Sequence, residues 1–219
     1  MPSAANLGDP LEGTQPLGHD GWWQSLTQAA KSDQERETIQ HNKQLLARFA
    51  AAFRTRYYVS CWHMNEAENP HMWSQYTTST DAVAVRTTLS RLRELLQPYV
   101  GIGLVRYINY STERLPTLNM FEYITHKNIV FSPEAELRAV AMHPVIEGLD
   151  QQHFREHHFQ KNSDPAVLVY APPVDIQKLI AEVALHPEST KAFRTRIEEV
   201  CKNAGLPAPV SSAAGCSAA

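Results

Sequence analysis

The chain has 219 residues, 43% of them apolar and 20% charged, with a formal net charge of −3. This is the composition of an ordinary folded protein with a full hydrophobic core, and its charge gives no electrostatic reason to expect nucleic acid or an anionic membrane as partner. Cys61, Cys201 and Cys216 are too few and too scattered for a disulfide framework, no stretch approaches the roughly 20 apolar residues that span a bilayer, and residues 1–21 lack the basic-then-apolar pattern of a secretory signal, so a cytoplasmic protein is expected.

Residues 1–33 are rich in Gly, Pro, Ser, Asn and Asp and read as an irregular segment anchored by Trp22-Trp23. Residues 34–54 predict a helix, with Ile39, Leu46, Phe49 and Phe53 on one face and Leu45 beside them. Tyr57 to Trp62 is aromatic and β-branched and predicts a strand. Glu66 to Tyr76 reads as a short helix, or a loop followed by a helical turn. Ala82 to Arg86 alternates as a strand does. Thr87 or Thr88 then caps a helix with Leu89, Leu92 and Leu96 toward the core.

Ile102 to Tyr110 predicts one strand. Leu118 to Phe131 predicts a helix punctuated by Pro133, and Glu134 to Met142 another strand. Residues 143–164 are polar and histidine-rich and read as a long loop. Val167 to Tyr170 is a short buried strand. Leu179 to Leu185 is a further strand, preceded from Asp175 by a helical turn. Glu188 to Asn203 is amphipathic on Phe193, Ile197 and Val200, with Gly205 where a C-cap glycine belongs. Val210 ends a last strand, and the Ser/Ala/Gly tail of 211–219 reads as disordered. Strands and helices mix without βαβ alternation. The expected class is therefore α+β, a single domain over 34–210 with a mainly antiparallel or mixed sheet and flanking helices.

Four groups of residues carry chemistry. Cys61 to Tyr76 gathers aromatic, acidic, amide and imidazole side chains at a strand end, where function often sits. Its Cys61, His63 and His71 match no standard zinc spacing. Trp62, Met72, Trp73 and Tyr76 suit core anchoring, whereas Asn65, Glu66 and Glu68 are too polar to be packing residues. In the second group, His126-Lys127 precedes Glu134, Glu136 and Arg138, which share one face if the segment is a strand. That face is either solvated, with a weak ion pair, or a polar site whose paired carboxyls divide acid and base roles. The third group, His153, His157 and His158, reads as solvated loop histidines. The fourth, Asp9-Pro10-Leu11-Glu12-Gly13, is by itself a turn signal. No Gly-rich phosphate loop or GxSxG elbow is present.

Taken in order, these segments resemble the bacterial family known as domain of unknown function 2971. The resemblance rests on Asp9 to Gly13, on Ser60 to Tyr76, on the strands Ala82 to Thr88 and Val105 to Tyr110, on His126-Lys127-Asn128 with Phe131, Glu134, Glu136 and Arg138, and on Leu185 to Pro187. It also implies a strand–helix–strand ahead of the Asp-Pro-x-Glu-Gly turn. Met1 stands shortly before Asp9, so the chain resembles an N-terminally shortened member. Some members are similar in layout to ADP-ribosyltransferase-like folds. That likeness implies a nucleotide- or NAD-handling transferase with NAD as cofactor. Glu136 or Glu134, with Arg138, would then be catalytic, and Lys127, His126, His63, Asn65, Glu66, Glu68, Trp73 and Tyr76 would line a nucleotide site. The alternative is a non-catalytic binding or interaction module, in a stress or phage-defence context, or a degenerate relative. That alternative expects Glu134, Glu136 and Arg138 to close into an ion-pair network. A metal hydrolase ranks last, and the oligomeric state is left open.

Overall fold

Tyr57-Tyr58-Val59 is the kind of run that packs well on a pleated surface, and it opens strand β1 (Tyr57–His63). The computed structural model describes residues 1–66, 69–116, 119–142, 159–161 and 168–211. The chain divides into two compact units, one of Met1–Met64 with Tyr99–Pro172 and the other of Asn65–Pro98 with Pro173–Ala219. Helices flank antiparallel sheets, as the expected α+β class requires. Among the described residues no helix is long and apolar enough to cross a membrane.

In the first unit, β1 pairs antiparallel with β6 (Glu136–Met142), and β6 pairs antiparallel with β3 (Gly101–Leu104). A short parallel pair joins β4 (Arg106–Ile108) to β5 (His126–Asn128). Another antiparallel pair joins β7 (Phe159–Lys161) to β8 (Leu168–Tyr170). The register sets Val59 against Val140, and both belong to a core cluster with Ala4, Tyr57 and Ile124. Burying each large apolar side chain contributes about 1.5–3 kcal/mol. Because side chains alternate along a strand, Cys61, His63, Arg138 and Glu136 continue the face that Val59 and Val140 begin.

Two helices complete this unit. Helix α2 (Asp33–Arg54) follows the prediction and is capped by Ser32, whose side chain accepts from the Glu35 amide. Its most buried residue is Ala50, while Phe49 is exposed. The irregular reading of 1–33 is corrected, because Gly18–Ala29 forms helix α1, which carries Trp22 and Trp23. Gly18 permits its docking: a Cβ there would lie 2.1 Å from the Glu113 carbonyl oxygen. Buried His19 accepts the Leu115 amide at Nε2, 3.0 Å away. Burial pushes this imidazole down in pKa, which keeps the accepting nitrogen unprotonated.

The second unit pairs β2 (Val83–Arg86) antiparallel with β9 (Glu182–Leu185), and β9 parallel with β10 (Val210–Ser211). Its helices are α3 (Pro70–Tyr76), α4 (Leu89–Leu95), α6 (Ile176–Leu179) and α7 (Lys191–Ala204). Thr88 caps α4 by accepting the Arg91 amide, and Leu92 is buried, whereas Leu89 is exposed. Gly205 takes φ 66° at the end of α7, the left-handed C-cap that favours glycine.

Two further predictions are corrected. The single strand over 102–110 is two, because β3 joins β6 while β4 joins β5. The helix over 118–131 reduces to α5 (Glu122–Thr125), followed at once by β5 and by a 3-10 turn over Ile129–Glu134 that contains Pro133. Of the predicted loop 143–164, residues 159–161 form β7, and the remainder lies outside the described residues, as does the tail beyond 211.

Candidate functional site

Glu136 and Arg138 share a face of β6, as their period-two spacing predicts. Glu134 does not lie on that strand. It ends the preceding 3-10 turn, and Ala135 then takes the left-handed conformation, φ 40° and ψ 56°. This reversal lets carboxylates on both sides of Ala135 reach one lysine. Lys127 Nζ, from β5, lies 2.5 Å from Glu134 Oε2 and 3.6 Å from Glu136 Oε2. It also sits 4.6 Å from the centre of the Phe131 ring, a cation–π contact.

Arg138 extends the network. Its Nη2 lies 2.6 Å from Glu136 Oε2 and also pairs with Glu12 Oε1. Its Nη1 donates to the Ile124 carbonyl at 2.8 Å. The five groups form an alternating chain: Glu134, Lys127, Glu136, Arg138, Glu12. None is more than 6% exposed. The reading of this row as a solvent-facing strand is therefore corrected. The register that buries Val140 buries the charged residues of the same face.

Glu12 is the member that sequence reasoning missed as a site residue. Its turn is built as the motif predicts. Asp9 Oδ1 accepts the Leu11 amide at 2.9 Å, the Glu12 amide donates to the Asp9 carbonyl at 3.1 Å, and Gly13 takes φ 76°. The side chain of Arg54 at the end of α2 abuts the turn: its Nη2 donates to the Asp9 carbonyl at 3.4 Å. The available signal was a carboxylate fixed between a proline turn and a positive-φ glycine, which gives it a defined direction.

Two tyrosines brace the cluster. Tyr107 accepts the Glu136 amide at 2.8 Å, and Tyr110 donates to the His126 carbonyl at 2.9 Å. His63, opposite Glu136 in the register, donates from Nδ1 to the Glu134 carbonyl at 2.6 Å. His126 is buried and donates from Nδ1 to the Glu122 carbonyl at 3.0 Å. Cys61 lies opposite Arg138 and retains exposed surface. Even so, the protein packed around its sulfur pushes the thiol up to about 12 against the pull of Arg138, so it is no ready nucleophile.

The electrostatics follow from burial and pairing. Burial raises the Glu12 carboxyl above the usual carboxylate range, opposed by Arg138 and Lys127. Burial works against the Lys127 ammonium, but the hydrogen bond to Glu134 and the charges of Glu136 and Glu12 outweigh it and raise its pKa. Arg138 is likewise raised, with Glu12 and Glu136 outweighing its desolvation. Both cations stay charged.

The remaining candidates lie elsewhere. Asn65, Glu66, Trp73 and Tyr76 belong to the second compact unit. Trp73 packs edge-on against His186 with ring centres 5.2 Å apart. Asn65 and Glu66 are exposed, and Tyr76 is 64% exposed rather than a core anchor. Glu68 and the histidines His153, His157 and His158 lie outside the described residues. Among the described residues, no group of three or more His, Cys, Asp or Glu side chains is placed to hold a metal ion. Neither Glu134 nor Glu136 presents a carboxylate at the surface, where a ribose hydroxyl could reach it. No family model, curated protein or solved structure matches the chain, so the site is read from its own geometry.

Proposed function

We propose that this chain acts by binding rather than by turnover, as a non-catalytic interaction module related to the domain of unknown function 2971 family. The observation that carries this reading is the closed alternating chain of five buried ionisable groups. Every carboxylate that a transferase would need at a ribose is engaged by Lys127 or Arg138. The kinship draws support from the motifs. The Asp9–Gly13 turn and the block from His126 to Arg138, far apart in sequence, deliver their charged residues to one cluster.

A nucleotide- or NAD-handling transferase is the second reading. What favours it is two carboxyls, Glu12 and Glu136, sharing one guanidinium nitrogen of Arg138, with Glu12 raised by burial. A carboxyl raised in this way is suited to act as an acid. This reading requires the cluster to open.

A thermal-shift scan separates the two, with NAD, ADP-ribose, ATP and divalent metals, on the wild type and on Glu136→Gln. Binding to the native state raises the melting temperature by mass action. The expected result is no shift with any of these ligands. Removing the carboxylate that links Lys127 to Arg138 should lower the melting temperature by several degrees, since breaking a buried ion pair costs about 3–5 kcal/mol. A rise with NAD or ADP-ribose that weakens in a folded Glu136→Gln protein would overturn the binding-only reading in favour of the transferase.

A further inference from the structure

With every group ionised, three carboxylates against two cations would leave one uncompensated negative charge in the buried cluster. A buried charge without a partner is costly enough that a group neutralises instead. The order of the chain decides which. Glu136 is the middle member, 3.6 Å from Lys127 Nζ and 2.6 Å from Arg138 Nη2, so it has a cation on either side. Glu134 and Glu12 are the ends, Glu134 paired with Lys127 and Glu12 with Arg138. Glu134 accepts directly from the Lys127 ammonium at 2.5 Å. Glu12 has Arg138 Nη2, which it shares with Glu136.

The other titratable groups facing Glu12 do not correct the imbalance. Cys61 on β1 and Tyr110 after β4 are both raised by burial and remain neutral. The same turn carries one further acid, Asp9, and is abutted by one further cation, Arg54 at the end of α2, whose Nη2 donates to the Asp9 carbonyl at 3.4 Å, so the two together leave the balance unchanged. Lys127 on β5 and Arg138 on β6 are already counted. The direction in which burial moves the Glu12 carboxyl agrees with its being the protonated end.

We propose that the cluster folds with one proton held on Glu12, so that the Asp9–Gly13 turn is a proton-operated latch, seated while Glu12 is neutral and loosened when it ionises. The sign follows from linkage. A carboxyl whose pKa is higher folded than unfolded contributes its full stability below the unfolded value, near 4.3, and that contribution is lost as pH rises through the folded value. The latch therefore loosens toward alkaline pH, opposite to a salt-bridged carboxylate of lowered pKa. This holds under either reading of the function.

The test has two arms on the full chain. Carboxyl carbon NMR of glutamate-labelled wild type at about pH 6, well above the ordinary glutamate value, should show one glutamate signal in the protonated position. That signal should vanish in Glu12→Gln. Melting curves between about pH 5 and pH 8 should show the wild type losing several degrees relative to Glu12→Gln, whose amide is neutral throughout. The variant should match the wild type at the acid end and exceed it at the alkaline end. All glutamate signals in the ionised position at pH 6, or a variant less stable by the same margin at every pH, overturns the proposal. If Glu12→Gln does not fold, the wild-type spectrum decides alone: one protonated glutamate supports the latch, and none overturns it.

Discussion

At the scale of the residue, the cluster depends on Ala135. A left-handed backbone costs an L-residue about 1–2 kcal/mol relative to the right-handed form, yet φ 40° here turns Glu134 and Glu136 toward the same lysine. The Met64 amide, donating to the Ala135 carbonyl at 2.9 Å, helps hold the reversal. Glycine adopts this conformation freely but adds entropy to the unfolded chain. Ala135→Gly should therefore be neutral or stabilising by up to about 1 kcal/mol. Ala135→Val, with a β-branched side chain in a region such residues avoid, should lose about 2 kcal/mol or more. Urea midpoints of both variants measure this, and equal midpoints would show that the reversal is not required. The sequence marked Glu134, Glu136 and Arg138 as one group by strand alternation. It offered no sign that Glu134 arrives from a 3-10 turn instead, because an alanine carries no mark of positive φ.

At the scale of the element, α7 shows what a local pattern does specify. Its amphipathic spacing and its glycine stop are read directly from the sequence, and the helix forms over Lys191–Ala204, starting three residues after the expected Glu188 because Thr190 caps it. Thr190 Oγ accepts the Phe193 amide at 3.2 Å and donates to Asp81 Oδ1 at 3.0 Å, while the Thr190 amide donates to the same oxygen. The cap thus ties α7 to the turn before β2. Thr190→Ala should cost about 1–2 kcal/mol, at the upper part of the range for lost caps, read as faster amide exchange in α7. Exchange as slow as in the wild type would mean the cap contributes nothing. The elements that were misread lack such local signals. Gly18 and Gly21 argue against a helix over 18–29, and α1 forms where Gly18 meets the chain at Glu113 and His19 meets Leu115. The break between β3 and β4 is set by their choice of partner strands, which no window of adjacent residues contains.

At the scale of the whole molecule, charge among the described residues is divided between a solvated surface and a buried cluster, and the two respond differently to salt. Surface pairs such as Arg36–Asp33, Lys43–Asp20 and Lys178–Asp175 keep much of their side chains in solvent. Such pairs are worth about 0–1 kcal/mol each and fade as salt rises. The five-membered cluster draws its residues from position 12 and from 127 to 138. Composition showed only a net charge of −3, from which neither the enclosure nor the pairing can be read. The Lys127–Glu134, Lys127–Glu136 and Glu136–Arg138 pairs are 2.5–3.6 Å apart, far less than the screening length of about 10 Å at 0.1 M and close to the value of about 3 Å at 1 M, and because the groups are buried mobile ions cannot enter between them. The melting-temperature gap between wild type and Glu136→Gln should therefore persist from about 0.1 M to 1 M sodium chloride. Taking the difference removes the general effect of salt on folding, which both proteins share. A gap that closes at high salt would show that water and ions reach Glu136. The cluster would then be open enough to meet a ligand, and the case for a purely structural Glu136 would fail.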